Sequence, residues 1–300
     1  MAMDLLNLMD RYGNDAECRD LLERLRWPNG VACSRCGTLD VWRLKERPVY
    51  RCSACGYDFS VTSGTIMHDS HLPLRKWMVA IYLMCESKKG ISALQLHRTI
   101  GVARRTAWYL AHRIREAMAN DPLEGPTLFG VVEVDETLVG GKARGKGRGH
   151  RGNKFWVAGA IQRDGQVRLE RVPNVRRRTL HDFVGRTVRD EAEAIYTDEL
   201  ASYLGIGDAD TRHERVRHSA DEWVVGDVHT NSIEGVWSLF KRSIIGSFHK
   251  VSMKHIDRYL SELEWRFNNR DNEHIFMDTL RRIVRTDALT YAELTADEAA

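Results

Sequence analysis

The sequence predicts an α/β protein, with a domain of strands and helices in its second half behind a metal ribbon and a helical segment. Three observations carry that expectation. Two Cys-x-x-Cys pairs lie between Cys33 and Cys55. Helical apolar spacing dominates from Leu74 to Leu110. From Leu128 onward, short β-branched runs alternate with amphipathic helices. The expected division is 1–66 for an N-terminal helix and ribbon and 67–125 for the helical segment. The sheet domain follows over 126–285, with an acidic tail over 286–300.

The ribbon is the pattern Cys33-x2-Cys36-x15-Cys52-x2-Cys55. This is the spacing of a structural zinc site, in which four thiolates close the coordination sphere. Gly37 and Gly56 follow the two pairs and permit the tight turns that face the thiolates inward. Tyr50–Arg51 and Tyr57–Val61 read as short strands. A closed site leaves no open position for chemistry, so Zn²⁺ here supplies folding energy. Cys18 and Cys85 lack ligand spacing and read as small buried hydrophobes.

A helix is expected from Leu74 to Met84, then a helix from Ile91 to Ile100, Gly101, and a second helix through Leu110. Helix, glycine turn and helix is the helix-turn-helix pattern, although an ordinary αα-hairpin has the same outline. The second helix opens on Arg104 and Arg105, which suits phosphate or base contact in a major groove. Asp121–Pro126 breaks the periodicity and marks a linker.

In the sheet domain, strands are expected over Leu128–Val134, Phe155–Ile161, Gln166–Val172 and Glu193–Thr197, with a return strand near Glu214–Val216. Asp164-Gly165 marks a hairpin between the second and third. Arg178–Asp190, the segment after His229, and Lys254–Asn269 read as helices. Three strands, a helix, further strands and covering helices give a ribonuclease-H-like layout.

Within it, Asp135 and Asp198 end apolar runs, and Glu234 lies near the start of an amphipathic helix. Two strand-end carboxylates and one helical carboxylate suit a hard divalent cation, Mg²⁺ or Mn²⁺. On the helix, Ile233, Val236, Trp237, Phe240 and Ile244 share one face, while Asn231, Glu234, Ser238 and Lys241 share another. A carboxylate for metal and a lysine for phosphate then line one wall, although a solvated face gives the same stripe. Glu136 and Glu199 directly follow the aspartates. Alternation along a strand turns them to the opposite face, away from the metal. Asp257, Glu262 and Glu264 are fallback candidates for the third acid, although they read first as a solvated helix face.

The net charge of +3 is too small to imply a nucleic-acid partner by itself, but its distribution does. Lys142, Arg144, Lys146, Arg148, Arg151 and Lys154 follow one another without an acid, interleaved with glycine. Such a segment tracks a phosphate backbone. No basic-then-apolar leader opens the sequence, and Trp77–Cys85 is too short to span a bilayer. The expectation is a cytoplasmic protein without a membrane partner, its cysteines used for metal rather than disulfides.

VVEVDETLVGGK, IYTDE, HTNSIEGVWSLFKR and YLSELEWRFNNR resemble the DDE-type insertion-sequence transposases with an N-terminal zinc ribbon, the ISXO-like group. YRCSACGYDFSVTSGTIMHDSHLPLRKW and TAWYLAHRIR are similar to the same group, so the resemblance runs from Asp15 to Ile283. It implies metal-dependent cleavage and strand transfer at terminal inverted repeats. The partners would be double-stranded element ends and target DNA, acted on by a homo-oligomeric synaptic complex, nucleoid-associated when bound. Carried over by position, Asp135 and Asp198 are the two aspartates; the third place fits Glu234, 36 positions after Asp198, or Asn231 one turn earlier. Two metals would be bridged by the aspartates, with Lys241 on the phosphate near the cleaved end. Two alternatives stand beside this reading. One is a non-catalytic zinc-ribbon DNA-binding regulator on a retired scaffold, and the other a nuclease without transfer activity.

Overall fold

A computed structural model describes residues 3–119, 125, 127–140, 154–207, 211–216 and 228–296. The chain packs as two units: 1–118 with 271–300, and 119–270.

In the first unit, α1 (Leu5–Arg11) and α2 (Asp15–Arg26) precede the ribbon. Asn14 caps α2 by accepting from the Ala16 and Glu17 amides, and the Glu17 side chain reaches back to the Asn14 amide. Three short antiparallel strands follow, β1 (Val41–Arg43), β2 (Tyr50–Cys52) and β3 (Asp58–Phe59). Trp27, Tyr50 and Phe59 stack edge-on or in parallel beneath the cysteines, giving the ribbon a small aromatic core. Arg26 donates to the carbonyls of Ser60, Val61 and Ser63, tying α2 to the chain leaving the ribbon.

The helical segment is α3 (Leu74–Glu86), α4 (Ala93–Ile100) and α5 (Arg104–Ala117). Ser92 caps α4 through the Gln95 amide, and Gly101 ends it in the left-handed region at φ 62°. The unit is completed from the far end of the chain by α9 (Ile275–Ile283) and α10 (Tyr291–Thr295). Phe276, Leu280 and Ile283 of α9 are buried, and Tyr82 meets Phe276 at 6.2 Å between ring centroids. The Ile66 amide donates to the Thr286 carbonyl at 2.9 Å.

The second unit holds β4 (Val131–Val139), β5 (Phe155–Gln162), β6 (Val167–Val172), β7 (Ala194–Thr197) and β8 (Arg212–Arg215). Its helices are α6 (Arg177–Thr187), α7 (Asn231–Ser243) and α8 (Ile256–Asn268). The sheet order is β6-β5-β4-β7-β8. The β4–β5 and β5–β6 pairs are antiparallel, and the β4–β7 and β7–β8 pairs parallel. Counted within the sheet, the third, second, first, fourth and fifth strands lie side by side, which is the ribonuclease-H-like arrangement.

The sheet is covered on both faces. Val132, Val134, Ala158 and Ala160 pack with Leu180, Phe183 and Tyr203 on one side. Val139, Val157 and Ile161 pack with Ile233, Val236, Trp237, Phe240, Leu260 and Leu263 on the other. The alternation of β4 sends Glu133 and Asp135 to the α7 side and Glu136 to the Tyr203 side.

Glu262 and Glu264 do not form a solvated face. Glu262 is buried, with Arg266 Nε 3.4 Å away. Glu264 accepts from Arg168 at 2.8 Å and from the Leu169 amide at 3.0 Å. Asn268 accepts from the Val167 amide and donates to its carbonyl. β6 is an edge strand, and these α8 side chains occupy backbone groups that an edge otherwise leaves open to another chain.

Candidate active site

Asp135 sits in the middle of β4, not at a strand end. The β4–β5 pair runs unbroken from Val132–Gln162 to Val139–Phe155, so β4 extends past the aspartate. The parallel pairing with β7 stops at Glu133–Tyr196. β7 itself ends at Thr197, and Asp198 follows at once. Asp198 Oδ1 accepts from the Leu200 amide at 2.9 Å, which fixes the carboxylate in the turn leaving the strand.

Asp135, Glu136 and Asp198 each bring a carboxylate oxygen within 4.8 Å of the others. Glu136, expected to face away from the metal, nevertheless belongs to this group. Glu136 does lie on the other face, where Tyr203 donates to it at 2.6 Å. Asp198, however, stands beyond the end of its strand, where no sheet separates the two faces, so acids from both sides reach it. Asp135 is held from the α7 side, where Trp237 Nε1 donates to Oδ2 at 2.8 Å. Gly159, the partner of Asp135 across the β4–β5 pair, makes that contact possible. A Cβ there would come within 2.6 Å of the Trp237 ring.

The electrostatics follow from this crowding. Burial pushes the Asp135 carboxyl up to about 6, with the charges of Asp198 and Glu234 adding to it and the Trp237 bond opposing. Burial pushes Glu136 up to about 7, with Asp198 and Asp135 adding to it. Three acids that repel one another in a half-buried setting suit a hard divalent cation.

Glu234 lies outside the three-acid group but close enough for its charge to act on Asp135. It is exposed in the first turn of α7, where Thr230 Oγ1 donates to it at 3.3 Å. Asn231 opens the helix and is exposed. Lys241 is exposed in the last turn, about 10 Å along the axis from Glu234 by helical rise.

Glu133 and Gly159 belong to the site and were not predicted from sequence. Their signals were present: an acid two residues before Asp135 shares its face, and a glycine inside a strand marks a close approach. Glu133 is fully buried and accepts from the Ser232 amide at 2.8 Å, the Ile233 amide at 3.1 Å and Ser232 Oγ at 2.9 Å.

The four cysteines of the ribbon also converge, with all Sγ atoms within 4.8 Å of one another. The Arg35 amide points at Cys33 Sγ at 3.5 Å and the Cys55 amide at Cys52 Sγ at 3.4 Å. Among the basic residues singled out, Arg104 is exposed at the start of α5, while the Arg105 guanidinium lies 4.2 Å from the centre of the Tyr291 ring. Lys154 precedes β5 and lines an open cavity of about 330 Å³ with Trp156, Arg171 and Met253. Lys142, Arg144, Lys146, Arg148 and Arg151 lie outside the described residues. Among the described residues no helix is long and apolar enough to cross a membrane.

Residues 127–268 match the ISXO2-like transposase domain, and residues 13–58 match the transposase zinc-ribbon domain. A Halobacterium salinarum protein, named as an uncharacterized protein in transposable element ISH50, is 30% identical over 276 residues. That alignment covers 85% of this chain and 91% of the relative. The chain belongs to the ISXO2-like transposase family, a DDE group. An uncharacterized transposase-like protein of Haemophilus influenzae is 33% identical over 98 residues, which is 33% of this ISXO2-like chain and 77% of the relative. The crystal structure of the Mos1 strand transfer complex aligns over 69% of this chain and 75% of its own, at 12% identity. The TM-score of that alignment is 0.29.

Proposed function

We propose that this ISXO2-like protein cleaves DNA at the terminal inverted repeats of an insertion sequence and joins the freed end to target DNA. The observation that carries the reading is the meeting of Asp135, Glu136 and Asp198 where β7 leaves β4. Asp135 and Asp198 would hold Mg²⁺ or Mn²⁺, with Glu234 completing the set from α7 and Asn231 the alternative in that third place. Such a cation, when bound, polarises the scissile phosphate and lowers the pKa of attacking water.

The chain's own residues do the rest. Trp237 fixes one oxygen of Asp135. Tyr203 fixes Glu136 in the same way on the opposite face. The exposed Lys241 ammonium is placed to meet a phosphate of a strand laid along α7. Lys154, with the basic residues 142–151, would follow the backbone of the same DNA. Arg104 and Arg105 at the start of α5 would contact the end sequence, and a paired assembly of two copies would bring both ends together. A zinc ion on Cys33, Cys36, Cys52 and Cys55 would hold the ribbon. The amide contacts to two of the sulfurs support that assignment.

The test is labelled terminal-repeat DNA incubated with protein and Mg²⁺, scored for bound, nicked and joined products. Joined products that disappear in Asp135→Asn are expected. Binding without nicking would instead make the protein a DNA-binding regulator, and nicking without joining a nuclease.

A further inference from the structure

We propose that Glu133 is a positioning residue: with Arg163, it clamps the start of α7 against β4 and thereby sets where Glu234 stands relative to Asp135. This rests on the metal-dependent reading of the site given above. α7 has no side-chain cap of its own, since Thr230 makes none. The amides at its start are served instead by a carboxylate from a distant strand. The two amides gripped are those of Ser232 and Ile233, the residues immediately before Glu234.

Arg163 completes the clamp. Its Nε donates to Glu133 Oε1 at 3.1 Å and its Nη2 to the His229 carbonyl at 3.4 Å. Its own amide donates to the Val131 carbonyl at 3.0 Å, and its guanidinium lies 4.8 Å from the centre of the Tyr196 ring on β7. His229 Nδ1 stands 3.2 Å from Glu133 Oε1, off the direction of a hydrogen bond. One ion pair, its carboxylate fully buried, therefore joins β4, β7 and the approach to α7, the three pieces of chain that carry the acids.

Two observations separate this from general packing. A helix that needs only a cap takes Ser, Thr or Asp at its own first position, without burying a charge on another element. Here the charge is two residues from Asp135 on the same face of β4, and Asp135 itself binds Trp237 of the same helix. Glu133 to Ser232 and Ile233, and Asp135 to Trp237, are two fixed points on each element. Together they leave α7 no freedom to slide along β4.

The experiment compares Glu133→Gln with Val184→Ala, a core change on the far side of the sheet, in the full-length protein. In metal-free protein, amide hydrogen exchange of residues 232–237 should rise selectively in Glu133→Gln and not in Val184→Ala. Mg²⁺ affinity by calorimetry should fall about 10- to 100-fold, as for residues that orient metal ligands. Cleavage kcat per folded molecule should fall while KM for terminal DNA holds. Arg163→Gln should reproduce the pattern from the other side of the pair, and it decides the matter where Glu133→Gln does not fold. Exchange in α7 no more affected than elsewhere, with Mg²⁺ affinity unchanged, would overturn the clamp. Wild-type protein that neither binds Mg²⁺ nor cleaves DNA would overturn the proposed function, and the exchange measurement would still judge the clamp.

Discussion

Gly159 and Trp237 are in mutual contact across the sheet–helix boundary: the indole ring fills the space in which a Cβ of residue 159 would sit, 2.6 Å from its nearest carbon. The same indole donates to Asp135, which pairs with Gly159 on the neighbouring strand. A missing side chain on β5 thus lets a helix reach an acid on β4.

Gly159→Ala should destabilise the sheet unit by about 1–3 kcal/mol, the range for overpacking a filled site. Chemical denaturation measures this. Because Trp237 must move, the variant should also lose cleavage, whereas unchanged stability would mean that the ring has room to retreat.

Asp135→Asn and Asp198→Asn should each abolish cleavage and leave binding to terminal-repeat DNA intact. The amide keeps the shape but removes the charge a divalent cation needs. Near-normal product from either variant in a gel assay would remove the metal-site reading.

The third ligand is decided by comparing three substitutions. Glu234→Gln should lose activity as completely as the aspartate variants, because groups acting as one unit fail together. Asn231→Ala and Glu136→Gln should cost less. A larger loss from Asn231→Ala would move the assignment one turn back along α7. A larger loss from Glu136→Gln would move it to β4.

Stabilisation by Mg²⁺ should depend on pH in a defined direction. Asp135 and Glu136 titrate near 6 and 7 in the folded chain, above their ordinary values of 3.8 and 4.5. Between about pH 4 and 7 the folded state therefore holds more protons than the unfolded one, so metal-free stability falls as pH rises. A cation relieves the repulsion only once the acids are ionised. The rise in Tm on adding Mg²⁺ should be small at pH 5 and large at pH 8, and equal shifts at both would contradict the site.

Protein purified without chelator should carry one zinc per chain by elemental analysis. Cys33→Ser should lose it and lower the stability of the first unit. Its small aromatic core of Trp27, Tyr50 and Phe59 cannot hold the ribbon unaided.

Periodicity alone made most elements legible. α5 and α7 and the hairpin at Asp164-Gly165 follow from local pattern. What was not legible arises from tertiary pairing. β4 runs past Asp135 because β5 pairs with it through Val139–Phe155. Glu136 joins the acids because β7 is short, a property of the partner strand. Glu262 and Glu264 have the sequence look of a wet face, but Glu264 accepts from an edge-strand amide and Glu262 is buried beside Arg266 of its own helix.

The first unit is discontinuous, and that orders its maturation on the ribosome. Residues 275–286 supply α9 and the backbone partner of Ile66, so the N-terminal unit, although begun first, stays incomplete until chain beyond the sheet unit has been made. The sheet unit has both its ends inside that interval and is complete once Arg270 emerges. A nascent chain that stops early therefore carries the acids on a finished sheet but lacks a finished ribbon-and-helix unit. The part proposed for end recognition is begun before the sheet unit and completed after it.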